Sequence, residues 1–327
     1  MDFRDIALEN EIFNVTPSSF EAVALAVFSF QFKHNKVYQK FCKLVHKTSP
    51  KVLSEIPCMP ITFFKHEKVV THDVNPELIF KSSGTTQSGR SSHYVLCKEM
   101  YERSFFTMYK QCFGPLENQV VLALLPNYLE QGDSSLVYMV DHLIRKTQDS
   151  KSGFYLNNRQ DLINTIHKLK NDSAKKVVLF GVSYALLDLA EENVDLSDVT
   201  VIETGGMKGR RKELVKEELH ELLKKGLNLS HVNSEYGMTE LLSQAYLANG
   251  LNFKSPPWMK VKIRDVNDPL SVMPNGHTGG VNIVDLANLY SCSFIATDDL
   301  GKKEADFFKI LGRFDQSDIR GCNLLVS

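Results

Sequence analysis

Short runs of β-branched and other apolar residues alternate with amphipathic stretches between residues 78 and 225 of this 327-residue chain. The apolar runs cover residues 78–80, 120–125, 177–180 and 199–202, and the amphipathic stretches cover residues 98–112, 134–145, 159–170 and 210–225. Short continuous apolar runs are typical of strands that are buried on both faces, and strand-then-helix alternation favours a parallel sheet covered by helices. We therefore predict an α/β fold with a mixed, mainly parallel sheet.

The two ends of the chain have a different texture. Pro17-Ser18-Ser19-Phe20-Glu21 places a hydroxyl three residues before a glutamate, as in a capping box, and predicts a long helical region over residues 22–45. From about residue 251, short strand-like pieces are separated by turn clusters such as Pro274-Asn275-Gly276, which predicts a small antiparallel β subdomain. No linker or repeat separates these regions, so we expect an α/β region over residues 1–250 that packs closely against a β-rich subdomain over residues 251–327.

The composition excludes several classes of protein. The chain has 38 basic and 39 acidic side chains, interleaved along most of its length, which argues against a nucleic-acid partner. No apolar run approaches the ~20 residues that span a bilayer, and the first residues lack the basic-then-apolar order of a signal peptide, so we expect no membrane span and a cytoplasmic location. The six scattered cysteines form no C-x-x-C pair, which predicts reduced thiols and no structural metal.

A loop rich in hydroxyls and glycine follows the first apolar run and is the strongest local signal. Its sequence is Phe80-Lys81-Ser82-Ser83-Gly84-Thr85-Thr86-Gln87-Ser88-Gly89-Arg90-Ser91-Ser92. Glycines let the backbone approach an anion, hydroxyls donate to phosphate oxygens and Arg90 adds a charge-assisted contact, so the composition indicates a phosphate loop. It is not the loop G-x-x-x-x-G-K-[ST], and a solvated turn would have a similar composition.

Three later segments follow or flank predicted strands and carry polar or glycine-rich motifs. They are Glu203-Thr204-Gly205-Gly206-Met207, then His231-Val232-Asn233-Ser234-Glu235-Tyr236-Gly237-Met238-Thr239-Glu240, and finally the pair Thr297-Asp298-Asp299-Leu300-Gly301 and Gly312-Arg313-Phe314-Asp315. Paired glycines admit a flat ring against the backbone, and an aromatic ring, a hydroxyl and a carboxylate suit a base, a phosphate and a magnesium ion respectively. Each segment alone is also compatible with ordinary turn chemistry.

The order of these motifs resembles the adenylate-forming enzymes, which activate acyl, aryl and aminoacyl acids. The combination of hydroxyl-rich loop, Gly-Gly, Tyr-Gly-x-Thr-Glu, Thr-x-Asp-Leu-Gly and Gly-Arg-x-Asp can be followed from about residue 60 to the end of the chain. The terminal stretch from Arg313 to Val326 is most similar to the LuxE-type acyl-protein synthetases of bacterial luminescence. The resemblance implies the large module of that fold, ATP and Mg²⁺ as cofactors, and activation of a fatty or other carboxylic acid with transfer to a protein cysteine.

The resemblance also implies a role for individual residues. The loop and Arg90, where the family often has lysine, are expected to contact the phosphates. The glycine pair and the Tyr-Gly dipeptide are expected to contact adenine. Thr239 is expected to touch the α-phosphate, Glu240 to hold Mg²⁺, Asp299 and Arg313 to bind the ribose, and Cys322 to accept the acyl group. The loop and adenine residues are Ser82, Ser83, Gly84, Thr85, Thr86, Gly205, Gly206, Tyr236 and Gly237.

The sequence departs from the family pattern in three places. Gln87 stands where most relatives have glycine, and the run between Asp315 and Gly321 is one residue shorter than is common. The chain ends just past the hinge at Asp315, so we expect the mobile C-terminal domain of the family to be absent.

Other functions remain open at this stage. An acyl-coenzyme A ligase, or a nucleotide-binding regulatory protein without catalysis, would share most of these motifs, and an acyl-accepting or acyl-reducing protein is an expected partner. Gly181-Val182-Ser183-Tyr184-Ala185 follows a strand as a nucleophile elbow does, but it lacks the second glycine and so argues against a serine hydrolase. His93, His142 and His231 show no metal-ligand spacing and are expected to be packed or capping residues.

Overall fold

The computed structural model describes residues 3–82, 89–125, 132–172, 175–205 and 214–313. The helices are α1 (Ile6–Phe13), α2 (Phe20–His34), α3 (Lys36–Leu44), α4 (Phe63–His66), α5 (Lys98–Phe113), α6 (Ser135–Thr147), α7 (Arg159–Asp172), α8 (Ser183–Glu191) and α9 (Lys216–Leu227). The strands are β1 (Met59–Pro60), β2 (Leu78–Lys81), β3 (Ser92–Val95), β4 (Gln119–Leu124), β5 (Gly153–Phe154), β6 (Lys176–Val182), β7 (Val199–Thr204), β8 (Asn233–Tyr236), β9 (Ala245–Asn249), β10 (Asn252–Lys254), β11 (Met259–Arg264), β12 (Thr278–Asp285), β13 (Phe294–Glu304) and β14 (Phe307–Arg313).

The chain divides into two compact units. Unit 1 comprises Met1–Phe105, Thr239–Ser243 and Asn252–Ser327, and unit 2 comprises Phe106–Met238 and Gln244–Leu251. The chain passes from unit 2 to unit 1 at residues 251–252. Residues 3–105 belong to the same unit as the last quarter of the chain, and their helices bond to residues 288–293.

Unit 1 contains an antiparallel sheet in the order β11, β12, β13, β14 and β10, with β1 running parallel to β13. This sheet confirms the antiparallel texture predicted for the last quarter. Arg264 is buried among its strands and donates to the carbonyls of Val281 and Thr297 at 2.8 and 2.6 Å. A Cβ at Gly280 would lie 2.5 Å from Arg264 Cζ, so the glycine makes room for this side chain.

Buried amides of the N-terminal helices fix the connection between β12 and β13. Gln31 Nε2 donates to the carbonyl oxygens of Asn288 and Leu289 at 3.0 and 2.8 Å, and Asn35 Nδ2 donates to that of Ser291 at 2.8 Å. Both amides are fully buried, where an unpaired carbonyl costs on the order of 1–3 kcal/mol. The helical region predicted after residue 22 therefore exists, as α2 and α3 with a break at Asn35.

The predicted capping box at the start of α2 is wrong. The box requires Ser18 as the N-cap, but the helix begins at Phe20 with Ser19 as its N-cap, and Ser19 makes no capping bond. The Ser18 hydroxyl instead bonds to Thr16 Oγ1 at 3.0 Å, and Ser19 Oγ accepts from the backbone N–H of Thr16 at 3.0 Å. Glu21 is drawn away from the helix terminus, because its carboxylate accepts from the backbone N–H of Leu53 at 2.8 Å. A turn over residues 16–19 thus replaces the reciprocal pair of bonds.

Unit 2 contains the predicted parallel sheet. Its strands follow the order β5, β4, β6, β7 and β8, all parallel, and β9 pairs antiparallel with β8. Every residue of β4 is buried, as its continuous apolar run predicts. The run at residues 78–80 behaves differently: it forms β2, which pairs antiparallel with β3 in a separate hairpin. The expectation that this run joins the parallel sheet is therefore wrong. The run pairs instead with β3, the strand on the other side of the hydroxyl-rich loop.

Candidate functional site

The base of the hydroxyl-rich loop is a hairpin in unit 1. Ser82 and Ser91 face each other at the ends of β2 and β3: the Ser82 N–H donates to the Ser91 carbonyl at 3.0 Å, and the Ser91 N–H donates to Ser82 Oγ at 3.0 Å. Arg90 turns back over the same end, where its Nε donates to the Ser82 carbonyl and its Nη2 to the Lys81 carbonyl. The loop that these residues close, with Ser83, Gly84, Thr85 and Thr86, lies outside the described residues.

Glu240 lies close to the base of this hairpin. It is 5% exposed, and its carboxyl group hydrogen-bonds to the Ser91 side chain. Burial raises the pKa of Glu240 above its usual value, while the Ser91 hydrogen bond and the charge of Arg313 oppose that shift. A carboxylate in such a place is stabilised by an added cation, so its chemistry suits a magnesium ligand.

Asp299 and Arg313 face each other across the antiparallel pair of β13 and β14. Arg313 Nε lies 3.5 Å from Asp299 Oδ1, and the aspartate is 7% exposed whereas the arginine side chain is 76% exposed. The Asp299 backbone N–H donates to Thr297 Oγ1 at 3.1 Å, which fixes the start of the motif. The two residues given to the ribose by the family resemblance are therefore adjacent, and Arg313 also acts electrostatically on Glu240.

The Thr239–Glu240 backbone is held by two buried side chains. His93 Nδ1 lies 2.8 Å from the Thr239 carbonyl oxygen, and His93 Nε2 lies 3.0 Å from Asn288 Oδ1. Asn288 Nδ2 donates to the carbonyls of Glu240 and Cys292 at 2.8 and 2.9 Å. His93 is thus a packed residue, as expected from sequence, and burial lowers its pKa to about 4. The contribution of Asn288 carried no sequence signal.

Unit 2 carries the glycine and tyrosine motifs at the carboxyl ends of its strands. Gly205 follows β7 with φ +74°, a left-handed conformation that favours glycine, and its carbonyl lies 2.8 Å from Ser183 Oγ. Tyr236 ends β8 and is 9% exposed. A Cβ at Gly237 would overlap Glu235 Oε1, so a larger residue after the tyrosine would displace the Glu235 carboxyl group. Gly206 lies outside the described residues.

A buried polar network supports these strand ends. Glu203 is fully buried; its Oε2 accepts from Lys216 Nζ and from Ser234 Oγ, both at 2.7 Å, and its Oε1 accepts from Ser183 Oγ at 2.5 Å. Burial raises the pKa of Glu235 to about 7, and the nearby Glu203 charge adds to that effect. Ser183 is 1% exposed and is occupied by Glu203 and Gly205, which fits the sequence argument against a serine nucleophile.

The remaining site predictions have separate outcomes. Cys322 lies outside the described residues. Within the described ranges no group of three or more His, Cys, Asp or Glu side chains is placed to hold a metal ion, and no helix there is long and apolar enough to cross a membrane. A role for Ser91 as a partner of Glu240 was not predicted. Ser91 immediately precedes β3 and lies two residues before His93, and this alternation is the signal that would have found it.

Comparison with known proteins gives one family and many similar folds. The model of a family described as acyl-protein synthetase, LuxE, matches residues 15–327. No curated protein matches the chain significantly.

Three solved structures illustrate the fold similarity. ATP-bound MatB from Rhodopseudomonas palustris has a TM-score of 0.55 at 17% identity, with 74% of this chain and 50% of that chain covered. An open conformation of 2-hydroxyisobutyryl-CoA ligase, in complex with 2-HIB-AMP and CoA, has a TM-score of 0.66 at 11% identity, with 92% and 72% covered. A long-chain-fatty-acid-CoA ligase, FadD1 from Archaeoglobus fulgidus, has a TM-score of 0.53 at 17% identity, with 78% and 55% covered. The chain therefore spans about half the length of MatB and shares its fold.

Proposed function

The chain belongs to the LuxE acyl-protein synthetase family, and from this we propose that it activates a carboxylic acid with ATP as an acyl-adenylate and passes the acyl group to a protein cysteine. A fatty acid is the substrate class that we favour, because the family resemblance carries it and FadD1, a similar fold, is a long-chain-fatty-acid-CoA ligase. A cytoplasmic location and an acyl-accepting or acyl-reducing partner protein remain predictions from the sequence.

The observation that carries this proposal is the grouping within unit 1. The base of the hydroxyl-rich loop, the buried Glu240 carboxyl and the Asp299–Arg313 pair interact with one another through Ser91 and Arg313. Hydroxyls and an arginine suit phosphate oxygens, and a buried carboxylate suits a divalent cation. A merely solvated turn at residues 82–91 would not place its closing serine against a buried glutamate 149 positions later.

The proposed reaction has two steps. In the first, an oxygen of the substrate carboxylate attacks the α-phosphorus of ATP, a P–O bond forms, the P–O bond to the β-phosphate breaks, and pyrophosphate leaves. In the second, a cysteine thiolate attacks the acyl carbon of the mixed anhydride, a C–S bond forms, the C–O bond breaks, and AMP leaves. The thioester keeps the acyl group reactive towards a later acceptor.

Each candidate residue has a role in the first step. Ser82 to Thr86 and Arg90 would donate to phosphate oxygens as negative charge develops, and Thr239 would donate to the α-phosphate. Gly205, Gly206, Tyr236 and Gly237 would bind adenine, and Asp299 with Arg313 would bind the ribose. Glu240 would hold Mg²⁺, which when bound offsets phosphate charge.

ATP–pyrophosphate exchange with a panel of carboxylic acids tests the first step. We expect acid-dependent return of labelled pyrophosphate into ATP, strongest with long-chain fatty acids. Exchange with no acid in the panel would leave the regulatory, non-catalytic alternative and overturn the proposed activity. Glu99→Gln serves as the control for glutamate substitutions in the site and should exchange at the wild-type rate. Glu99 is an exposed residue that pairs with Arg4 and not with the site.

Intact-mass spectrometry after incubation with ATP, Mg²⁺ and mixed fatty acids tests the second step. A hydroxylamine-labile acyl adduct on the protein is the expected result. Free acyl-coenzyme A formed only when coenzyme A is added, with no protein adduct, would instead support the ligase alternative, which the CoA-bound fold relative makes the strongest competitor.

A further inference from the structure

Residues 239–243 carry the Thr-Glu motif without belonging to a helix or a strand. The backbone N–H and C=O groups of this segment therefore bond to side chains from elsewhere in unit 1, and not to a neighbouring strand. Asp285 Oδ2 accepts from the N–H groups of Leu242 and Ser243, both at 2.9 Å. The two carbonyls at the start of the segment, those of Thr239 and Glu240, face His93 and Asn288.

His93 and Ser91 connect this segment to the hydroxyl-rich loop. They are two residues apart at the point where the chain leaves the loop and enters β3, and both contact the motif: Ser91 bonds to the Glu240 carboxyl and His93 to the Thr239 carbonyl. Only two residues, Ser91 and Ser92, separate Arg90 from His93. The end of the loop is therefore linked to the motif directly through these two residues.

The surroundings of the His93 ring indicate which of its two nitrogens carries the proton. Asn288 Nδ2 already donates to two carbonyls, so its Oδ1 is the atom that faces His93 Nε2, and both ring nitrogens face acceptors. Burial keeps the ring neutral at neutral pH, and a neutral ring carries one N–H. The shorter contact, 2.8 Å from Nδ1 to the Thr239 carbonyl, is the one that we expect to hold the proton.

We infer that His93 is a positioning residue, which fixes the Thr239–Glu240 backbone relative to Ser91 at the end of the hydroxyl-rich loop and so sets the affinity of the site for the magnesium complex of ATP. This role deepens the proposed function and rests on it. His93 touches neither substrate nor metal; it acts through the carbonyl of Thr239.

The test compares three substitutions of His93 with one control. His93→Asn places an amide nitrogen near the position of Nδ1, His93→Gln places one near the position of Nε2, and His93→Leu removes both donors. The control is Gln31→Leu, which removes an equally buried amide that bonds to the same β12–β13 connection but to no residue of 239–243. Calorimetric affinity for ATP with and without Mg²⁺ is measured beside pyrophosphate exchange at limiting and saturating Mg²⁺.

We expect His93→Leu to weaken the Mg²⁺-dependent part of ATP affinity by about tenfold and to raise the Mg²⁺ concentration for half-maximal exchange, since a buried carbonyl loses its donor. His93→Asn should recover most of this loss and His93→Gln little of it. Gln31→Leu should lower thermal stability without changing the Mg²⁺ requirement. The half-maximal Mg²⁺ concentration is independent of how much protein is folded, so partial unfolding does not obscure the result.

Two outcomes would overturn the inference. One is a wild-type Mg²⁺ dependence in His93→Leu, and the other is an equal shift in Gln31→Leu, which would reduce His93 to general core stability. Failure of the proposed function is a different result: the wild-type protein itself would then show neither Mg²⁺-dependent ATP binding nor exchange.

Discussion

Asp299 and Arg313 are cross-strand partners on β13 and β14, with 3.5 Å between Asp299 Oδ1 and Arg313 Nε. The aspartate is buried and its arginine partner is exposed, so solvent reaches the pair at the arginine. Directly opposite residues in an antiparallel pair have Cβ atoms about 4.5–5.5 Å apart, so the register alone brings them together. A diol that accepted and donated at this edge would meet both a carboxylate and a guanidinium.

Asp299→Ala should therefore weaken ATP binding by about 1–3 kcal/mol, because charge-assisted hydrogen bonds to the ribose are lost. Calorimetry with ATP measures the change. Asp299→Asn is the matched control for shape, and it should lie between wild type and alanine. An ATP affinity equal to that of wild type in the alanine variant would remove Asp299 from the site.

Glu240→Gln should abolish acid-dependent exchange while leaving the fold intact. A neutral amide is a much poorer ligand for a hard cation, and it also relieves a carboxyl group whose pKa burial already raises, so stability should be unchanged or higher. Exchange rates at limiting Mg²⁺ and a thermal melt are the two measurements. Wild-type exchange at limiting Mg²⁺ would contradict the assignment of the metal ligand.

Cys322→Ser separates the two half-reactions. If Cys322 accepts the acyl group, pyrophosphate exchange should persist while the hydroxylamine-labile adduct disappears, because the serine hydroxyl is a far weaker nucleophile at neutral pH. Intact-mass spectrometry and peptide mapping report the adduct. Its survival, or its appearance on a peptide that contains another cysteine, would place the acceptor elsewhere.

His220→Gln should flatten the pH dependence of stability. Burial lowers the pKa of His220 to about 4, from a usual value near 6.5, and its Nε2 lies 2.9 Å from Ser234 Oγ. Between these two values the unfolded chain binds a proton that the folded protein does not, so His220 costs stability as pH falls from about 6.5 to about 4, by on the order of 3 kcal/mol. Glutamine does not titrate, so chemical denaturation at pH 7 and at pH 4.5 should show the variant losing less stability than wild type. An identical loss in both proteins would mean that His220 titrates normally.

Gly226→Ala should destabilise unit 2. Gly226 lies in α9, and an added Cβ would approach the Ala190 carbonyl oxygen of α8 to 2.5 Å. Overpacking of about 1–3 kcal/mol exceeds the gain of up to about 1 kcal/mol from the better helix propensity of alanine. The midpoint of urea unfolding measures the difference, with the exposed Lys225→Ala as the control on the same helix. A midpoint at or above that of wild type would show that the two helices move apart freely.

The parallel sheet was predictable because its signal is local. The runs at residues 120–125, 177–180 and 199–202 became β4, β6 and β7, each buried almost throughout. The run at residues 78–80 has the same composition, but its pairing is decided by β3, whose sequence Ser-His-Tyr-Val is partly polar. The hydrophobic pattern of one strand does not indicate which strand pairs with it.

The site divides in the same way. Motif residues such as Gly205, whose positive φ demands glycine, and Glu240 are readable because their chemistry is in the side chain itself. Ser91 and Asn288 are not, because each acquires its role from a residue 149 and 48 positions away, respectively. Long-range pairing of this kind is a property of the folded chain.

The buried amides of Gln31 and Asn35 also have a consequence for synthesis on the ribosome. Their carbonyl partners follow 257 and 256 positions later, and the Tyr290 hydroxyl, which bonds to Glu9, follows 281 positions later. Helices α1 to α3 are thus translated before unit 2, yet they cannot complete these bonds until residues 288–291 have emerged. Unit 2, apart from β9, is encoded in one uninterrupted stretch between these two events, so the nascent chain is expected to fold its middle before its beginning.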